Sequence, residues 1–331
     1  MSRWKEILVC GQVLLTVGPA AIGIPLGLDL HLPVPESNPL TTAKVELGRR
    51  LFNDRRLSRD NSIACVTCHD PLRAFSDGRA LAVGINGRLG RRNTPAIINR
   101  GYGLAFFWDG RETSLEAQVL KPIEDRDEMD STVAGAAARV GLSSVVLANA
   151  LASYVRSILS GNSRFDRFVN GERDALSADE QAGLQVFRGR GGCTACHVGP
   201  TFSDERFHNT GPAWRSGTDG ATGTYQDEGR FGVTGRVEDH GAFKTPTLRD
   251  VARSAPYMHD GSLATLDNVV EFYDQGGRPN PYLDTDLRRL HLSAVDKRAL
   301  TAFLAALSGQ PGRSLSGVHA MLGGSILGIG R

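Results

Sequence analysis

The chain lacks a charge excess. Its 38 Lys and Arg stand against 36 Asp and Glu over 331 residues, so the dense positive field that holds a phosphate backbone is missing and nucleic acid is excluded as a partner. Beyond the first twenty or so residues it also lacks any apolar run of membrane-spanning length, which excludes a polytopic membrane protein. Disorder is excluded too, because 40% hydrophobic and 22% charged residues are ordinary globular proportions. Cysteine is scarce, with five in all. Glycine is plentiful, at 39 beside 15 Pro, which argues for a loop-rich fold whose core is filled by something besides side chains. The length predicts two domains of ordinary size.

Residues 1–21 read as a secretory signal peptide: Arg3 and Lys5, an apolar run from Ile7 to Val17, then small residues to Ala21. Cleavage is expected near Ala20 or Ala21, giving a periplasmic protein with no membrane span. An uncleaved anchor is the alternative, although Gly and Pro interrupt the weakly apolar stretch that follows. Cys10 falls inside this leader, so four cysteines survive export.

Those four form one pattern twice. Cys65, Cys68 and His69 spell C-x-x-C-H, and Cys193, Cys196 and His197 repeat it. Two thiols three positions apart on a turn can reach the two vinyl groups of a porphyrin, and the following His is then carried beneath the iron as its axial ligand. A redox dithiol or a four-thiolate zinc ribbon are the competing readings. Neither requires a His after each second Cys, and the two pairs stand much further apart than zinc knuckles do. Two covalently attached c-type haems are expected.

The chain around each motif has the same plan. A capped amphipathic helix over 41–52 precedes the first, and one over 177–187 precedes the second. Helical spacing is present over 113–121, 131–160, 265–274 and 292–307, whereas 160–173 reads as a boundary and 211–241 as a long polar surface loop. The expected fold is mainly α and loop-rich: two cytochrome c-like domains, 36–172 and 173–310, each with one haem, and a tail over 311–331 without an assigned role.

Several motifs, in this order around the two haem motifs, resemble those of the bacterial di-haem cytochrome c peroxidases and their MauG-type relatives. They are Arg92-Asn93-Thr94-Pro95, Phe106-Phe107-Trp108-Asp109-Gly110-Arg111, Ser114-Leu115-Glu116-Ala117-Gln118, Asp127-Glu128-Met129, the run from Lys244 to Arg249, and the run from Ala255 to Ser262. The resemblance covers Asn38 to Leu307 and implies roles for particular residues. Trp108 matches the Trp between the haems that carries electron holes, although Trp in an apolar string also fills cores. Glu128 matches the distal carboxylate that moves protons in peroxide chemistry, although by sequence alone it is one of a run of acids. Pro122 and Gln118 match residues over the open haem face. Asn93, with the main-chain carbonyls of Ser254 and Pro256, matches an interhaem calcium site, as a hard cation taking neutral oxygens would require.

Two positions separate the subclasses. Many of the peroxidases carry a His ten residues before the Pro of the Arg-Asn-Thr-Pro motif, and here that position is Ile85, which cannot ligate. The first haem is therefore expected to be five-coordinate and open to peroxide. Where the peroxidases place a Met on the second haem, this chain has Tyr273, as MauG-type proteins do; Met258 and His259 are the nearby alternatives. A His197/Tyr273 haem favours the ferric and higher states, whereas a His/Met haem is an inlet for electrons from a cytochrome c.

The resemblance implies an enzyme that uses hydrogen peroxide to form a bis-Fe(IV)-like state shared between the haems and then oxidises a residue, Trp foremost, of a partner protein. MauG carries a Trp two residues before its second haem motif, and this chain has Gly191 there, which points to a different substrate. The methanobactin-associated MbnH type, which converts a partner Trp to kynurenine, is the nearer branch. Trp214 and Tyr225 are candidate exit aromatics. Two alternatives remain at this point: a cytochrome c peroxidase drawing electrons from a cytochrome c, and a plain electron-transfer di-haem cytochrome.

Overall fold

The computed structural model describes residues 22–217 and 222–311. The expected leader and tail residues 312–331 lie outside the described residues. The helices are α1 (Thr42–Phe52), α2 (Cys65–Cys68), α3 (Leu115–Gln118), α4 (Lys121–Glu124), α5 (Val133–Arg139), α6 (Ser144–Ser157) and α7 (Arg164–Val169). The second half contributes α8 (Ala178–Arg188), α9 (Phe231–Thr234), α10 (Leu266–Asp274) and α11 (Ala294–Ala306). Among the described residues no single helix is long and apolar enough to cross a membrane.

Two helix crossings organise this chain, and they are copies of each other. α1 packs on α6, and α8 packs on α11. Each crossing is built on a glycine. A Cβ on Gly48 would lie 1.9 Å from the Ala150 carbonyl oxygen, and one on Gly183 would lie 1.9 Å from that of Ala299. Four residues after each glycine comes a buried ring, Phe52 and Phe187, which anchors the hydrophobic cluster of its own half. The helices start where their caps dictate: the Ser177 and Ser293 hydroxyls accept from the backbone N–H of Glu180 and Asp296, whose carboxylates bond back to the cap N–H.

Where the pattern predicts one helix over 131–160, the structure has two. Gly141 takes a positive φ of 73° after α5, and Ser143 caps α6 afresh. Likewise 113–121 holds the single turn α3 and then the first residue of a separate turn, α4, with Pro122 in its first turn. The long polar loop over 211–241 is more structured than expected. It holds an antiparallel pair, β3 (Trp214–Ser216) with β4 (Gly223–Tyr225), and then α9. Other strands are minimal: β1 (Ser160–Gly161) pairs β6 (Gln310–Pro311), and β2 (Phe207–His208) pairs β5 (Phe243–Lys244).

Buried ion pairs tie distant segments together. The Arg249 side chain, 1% exposed, joins Asp166, the Pro200 carbonyl and the Gly27 carbonyl. Arg92 bridges Asp109 to Asp227 at 2.6 and 2.7 Å.

Replacing Gly183 with Ala separates two opposing effects. Helix propensity alone favours Ala by about 1 kcal/mol, but overpacking against a fixed carbonyl costs about 1–3 kcal/mol. The G183A holoprotein is expected to unfold at lower urea than the wild type; a higher midpoint would contradict the crossing.

Candidate di-haem site

Both C-x-x-C-H segments close a turn in the same way. The His69 N–H donates to the Cys65 carbonyl at 2.9 Å, and the His197 N–H to that of Cys193 at 2.9 Å. Each imidazole is then held through Nδ1, which bonds the Phe75 carbonyl at 2.7 Å and the Phe202 carbonyl at 2.8 Å. Those carbonyls are presented by backbone in the left-handed region, with φ of 53° and 58° at Ala74 and Phe75 and 53° at Phe202. Because Nδ1 faces a carbonyl it carries the proton, so Nε2 keeps its lone pair for a metal. Burial lowers the basicity of both imidazoles and so favours the neutral form. The same burial pushes the thiols of Cys65 and Cys193 up to about 12 and that of Cys68 to about 11.

One continuous cavity of about 410 Å³ is lined by Cys68, His69, Cys193, Cys196 and His197 together. Of the residues singled out from the sequence, Trp108, Gln118, Pro122, Glu128, Tyr273, Asn93, Ser254 and Pro256 also line it. Cys65 packs against the first-half core beside it.

In the first half, Ile85 is fully buried and its N–H donates to the Glu128 carbonyl at 2.8 Å. Gly84 makes that contact possible, since a Cβ there would stand 2.0 Å from the Asp127 carbonyl oxygen. The Pro122 carbonyl accepts the Met129 N–H at 3.2 Å, and Met129 is buried. The acidic run is therefore a pinned turn that delivers Glu128 to the cavity, where burial, with help from the Asp125 charge, pushes its carboxyl up to about 7.

Between the halves, the Trp108 Nε1 donates to the Asn93 carbonyl at 2.9 Å, and the Trp108 carbonyl accepts the Lys244 N–H at 2.8 Å. Asn93 spends its Nδ2 on the Arg79 carbonyl at 2.7 Å, which leaves Oδ1 as an acceptor.

In the second half, Tyr273 sits in the last turn of α10. Burial pushes its phenol up to about 12, opposed by a hydrogen bond with the Thr210 side chain. Of the alternative ligands, His259 stacks face-on against Phe243, with centroids 3.8 Å apart, and burial lowers it to about 4. Met258 lines the cavity with φ at 72°.

Sequence reasoning missed several charged residues. Lys244, 8% exposed, is lowered to about 7 by burial and by Arg100 beside it, against the pull of Glu205 at 3.7 Å. Arg100 itself pairs with Glu205 at 2.7 Å. His208 bonds Asp204 at 2.9 Å and Asp284 at 2.6 Å beside Cys196; its bond to Cys196 and then the two carboxylates raise it to about 10 against desolvation. Asp204 and His208 are four residues apart, but the other pairs join distant segments and meet only in the fold.

The residues present fit two haems. Two aimed imidazoles, the paired thiols and a shared apolar cavity match the attachment chemistry, and the cavity-lining cations Arg92, Arg100 and Lys244 suit the carboxylates that haem carries. Comparison with known proteins defines the class: the chain belongs to the di-haem cytochrome c peroxidase and MauG family. Residues 42–174 match the family described as di-haem cytochrome c peroxidase. The chain is 38% identical over 300 residues to the methylamine utilization protein MauG of Methylorubrum extorquens, covering 85% of this chain and 82% of that protein. It is 37% identical over 340 residues to the cytochrome-c peroxidase IdrP1 of Denitromonas iodatirespirans, covering 91% and 90%. Among solved structures, a MauG-like protein associated with microbial copper homeostasis superposes with a TM-score of 0.77 at 32% identity, covering 86% of this chain and 95% of that one. Membership makes this a di-haem peroxidase-family enzyme with two c-type haems.

If Glu128 is the base toward peroxide, its raised carboxyl gives the reaction a pH dependence. To take a proton from peroxide it must be ionised, and burial delays ionisation until about pH 7. The reaction of the ferric holoenzyme with peroxide, followed by stopped flow, is expected to speed up as pH rises through about 7. E128Q is expected to lower that rate by about 10²–10⁴-fold and to remove the pH step.

Proposed function

We propose that this chain is a periplasmic, peroxide-driven enzyme that oxidises an aromatic side chain, Trp foremost, of a partner protein. The carrying observation is the pair Ile85 and Tyr273. The loop that would bring a His to the first iron instead buries an isoleucine against the Glu128 turn, and the second site offers a phenol in a cavity shared with His197. MauG relatives at 38% and 36% identity support the reading.

The bound haems supply peroxide reduction and a store for its two oxidising equivalents. Glu128 takes the proton of the peroxide oxygen nearer His69 and returns it to the departing oxygen, which leaves as water. Gln118 and Pro122 limit the room over that site. Trp108, held by the Asn93 and Lys244 backbone, joins the two halves for electron movement. Tyr273 would hold the second haem together with His197, and a phenol ligand would disfavour the reduced state. The Asn93 Oδ1 with the Ser254 and Pro256 carbonyls is the proposed calcium site.

Relatives named cytochrome-c peroxidase match at 37% and 35% identity, so peroxide reduction by a cytochrome c is the reading to test against. Peroxide turnover with reduced cytochrome c is expected to be slow in the wild type. Y273M is expected to raise it, because a Met ligand raises the potential of the second haem. Fast turnover in the wild type, unimproved by Y273M, would favour the peroxidase.

A further inference from the structure

The hairpin of β3 and β4 is the part of the former long loop that the catalytic reading leaves unused, and it carries an aromatic stack. Trp214 meets Tyr225 at 4.8 Å between centroids, edge to face. Tyr225 stacks on His240 at 5.4 Å, and His240 on Tyr282 at 5.6 Å. Two glycines make the packing possible: a Cβ on Gly223 would lie 2.3 Å from Cζ2 of Trp214, and one on Gly241 would lie 2.5 Å from Cε1 of Tyr225. The flanking Thr222 and Thr224 are exposed.

The inner end of this stack is wired to the second haem site. Tyr273 and Thr210 both line the cavity shared with His197. The Thr210 carbonyl accepts the Arg278 N–H at 3.1 Å, and the Arg278 guanidinium donates to the Trp214 carbonyl at 3.0 Å. Thr210 and Pro212 line the cavity, and Trp214 follows two residues later at 8% exposure.

We propose that Trp214 is the relay residue through which oxidising equivalents leave the second haem site, an inference that rests on the peroxide-driven reading above. Chemistry selects Trp214 over Tyr225. An oxidised phenol sheds its proton, and the Tyr225 hydroxyl donates to the Asn280 amide oxygen at 2.6 Å and receives from the Asn209 amide at 3.3 Å. Amides are not bases at neutral pH. An indole can lose an electron and keep its N–H, so it needs no base. Each hydrogen peroxide takes up two electrons and two protons to give two waters. Trp214 passes the two electrons inward one at a time and recovers each from an external one-electron donor.

Without a donor the relay should oxidise itself. The holoenzyme is treated with repeated equivalents of hydrogen peroxide, digested, and its Trp214 peptide is weighed. The expected result is a Trp214 that has gained one or two oxygen atoms. W214F, which keeps a ring in the stack, is expected to lengthen the lifetime of the peroxide-oxidised enzyme several-fold at an unchanged melting temperature, and Y225F to leave it unchanged. If W214F unfolds early, the wild-type peptide mass decides alone. An unmodified Trp214 in an enzyme that still consumes peroxide overturns the relay and leaves the proposed function standing. A wild-type enzyme inert to peroxide overturns both.

Discussion

The structure depends on two hydrogen bonds, from Nδ1 of His69 and of His197 to the carbonyls of Phe75 and Phe202. Each fixes a tautomer and an orientation at once, and each requires its loop to pass through the left-handed backbone region. The helix crossings exist to hold those loops. α1 and α8 end shortly before the two motifs, and Gly48 and Gly183 let each pack directly on the closing helix of its half. A ring from each helix, Phe52 or Phe187, packs beside the haem loop: Phe52 meets His69 at 6.3 Å and Phe75 at 6.3 Å, and Phe187 meets Phe202 at 6.1 Å.

On this repeated scaffold the two open sides have diverged. The first presents a carboxyl whose ionisation burial has moved to about 7, on a turn held by the Ile85 N–H. The second presents a phenol that burial holds at about 12. The group suited to proton handling therefore lies in one half. The other half has a phenol that would stabilise an oxidised centre if it ligated the iron. Trp108 stands where the halves meet, its indole bonded to Asn93 of the first half and its carbonyl to Lys244 of the second.

The sequence shows the attachment motifs because covalent chemistry fixes their spacing. The long helices are legible for the same kind of reason, since α1, α8, α10 and α11 carry caps at their starts. The role of Glu128 is legible only through the order of motifs, because a carboxylate in an acidic run has no local mark of burial. The break at Gly141 was hidden by apolar spacing that continues across it. The β3–β4 hairpin escaped notice because three-residue strands show almost no alternation. Lys244, Arg100, Glu205, His208 and Asp284 could not be found at all, as their partners are distant in the chain and meet only in the fold.

How the oxidising equivalents of peroxide would be stored depends on what faces the second iron. The most direct measurement is the visible spectrum of the ferric holoprotein before and after ascorbate, followed by one equivalent of hydrogen peroxide. With Tyr273 as ligand, ascorbate leaves both haems ferric and peroxide then produces a long-lived oxidised spectrum. Reduction of half the haem by ascorbate would contradict the account, because it would show a high-potential second site of the kind that takes electrons from a cytochrome c.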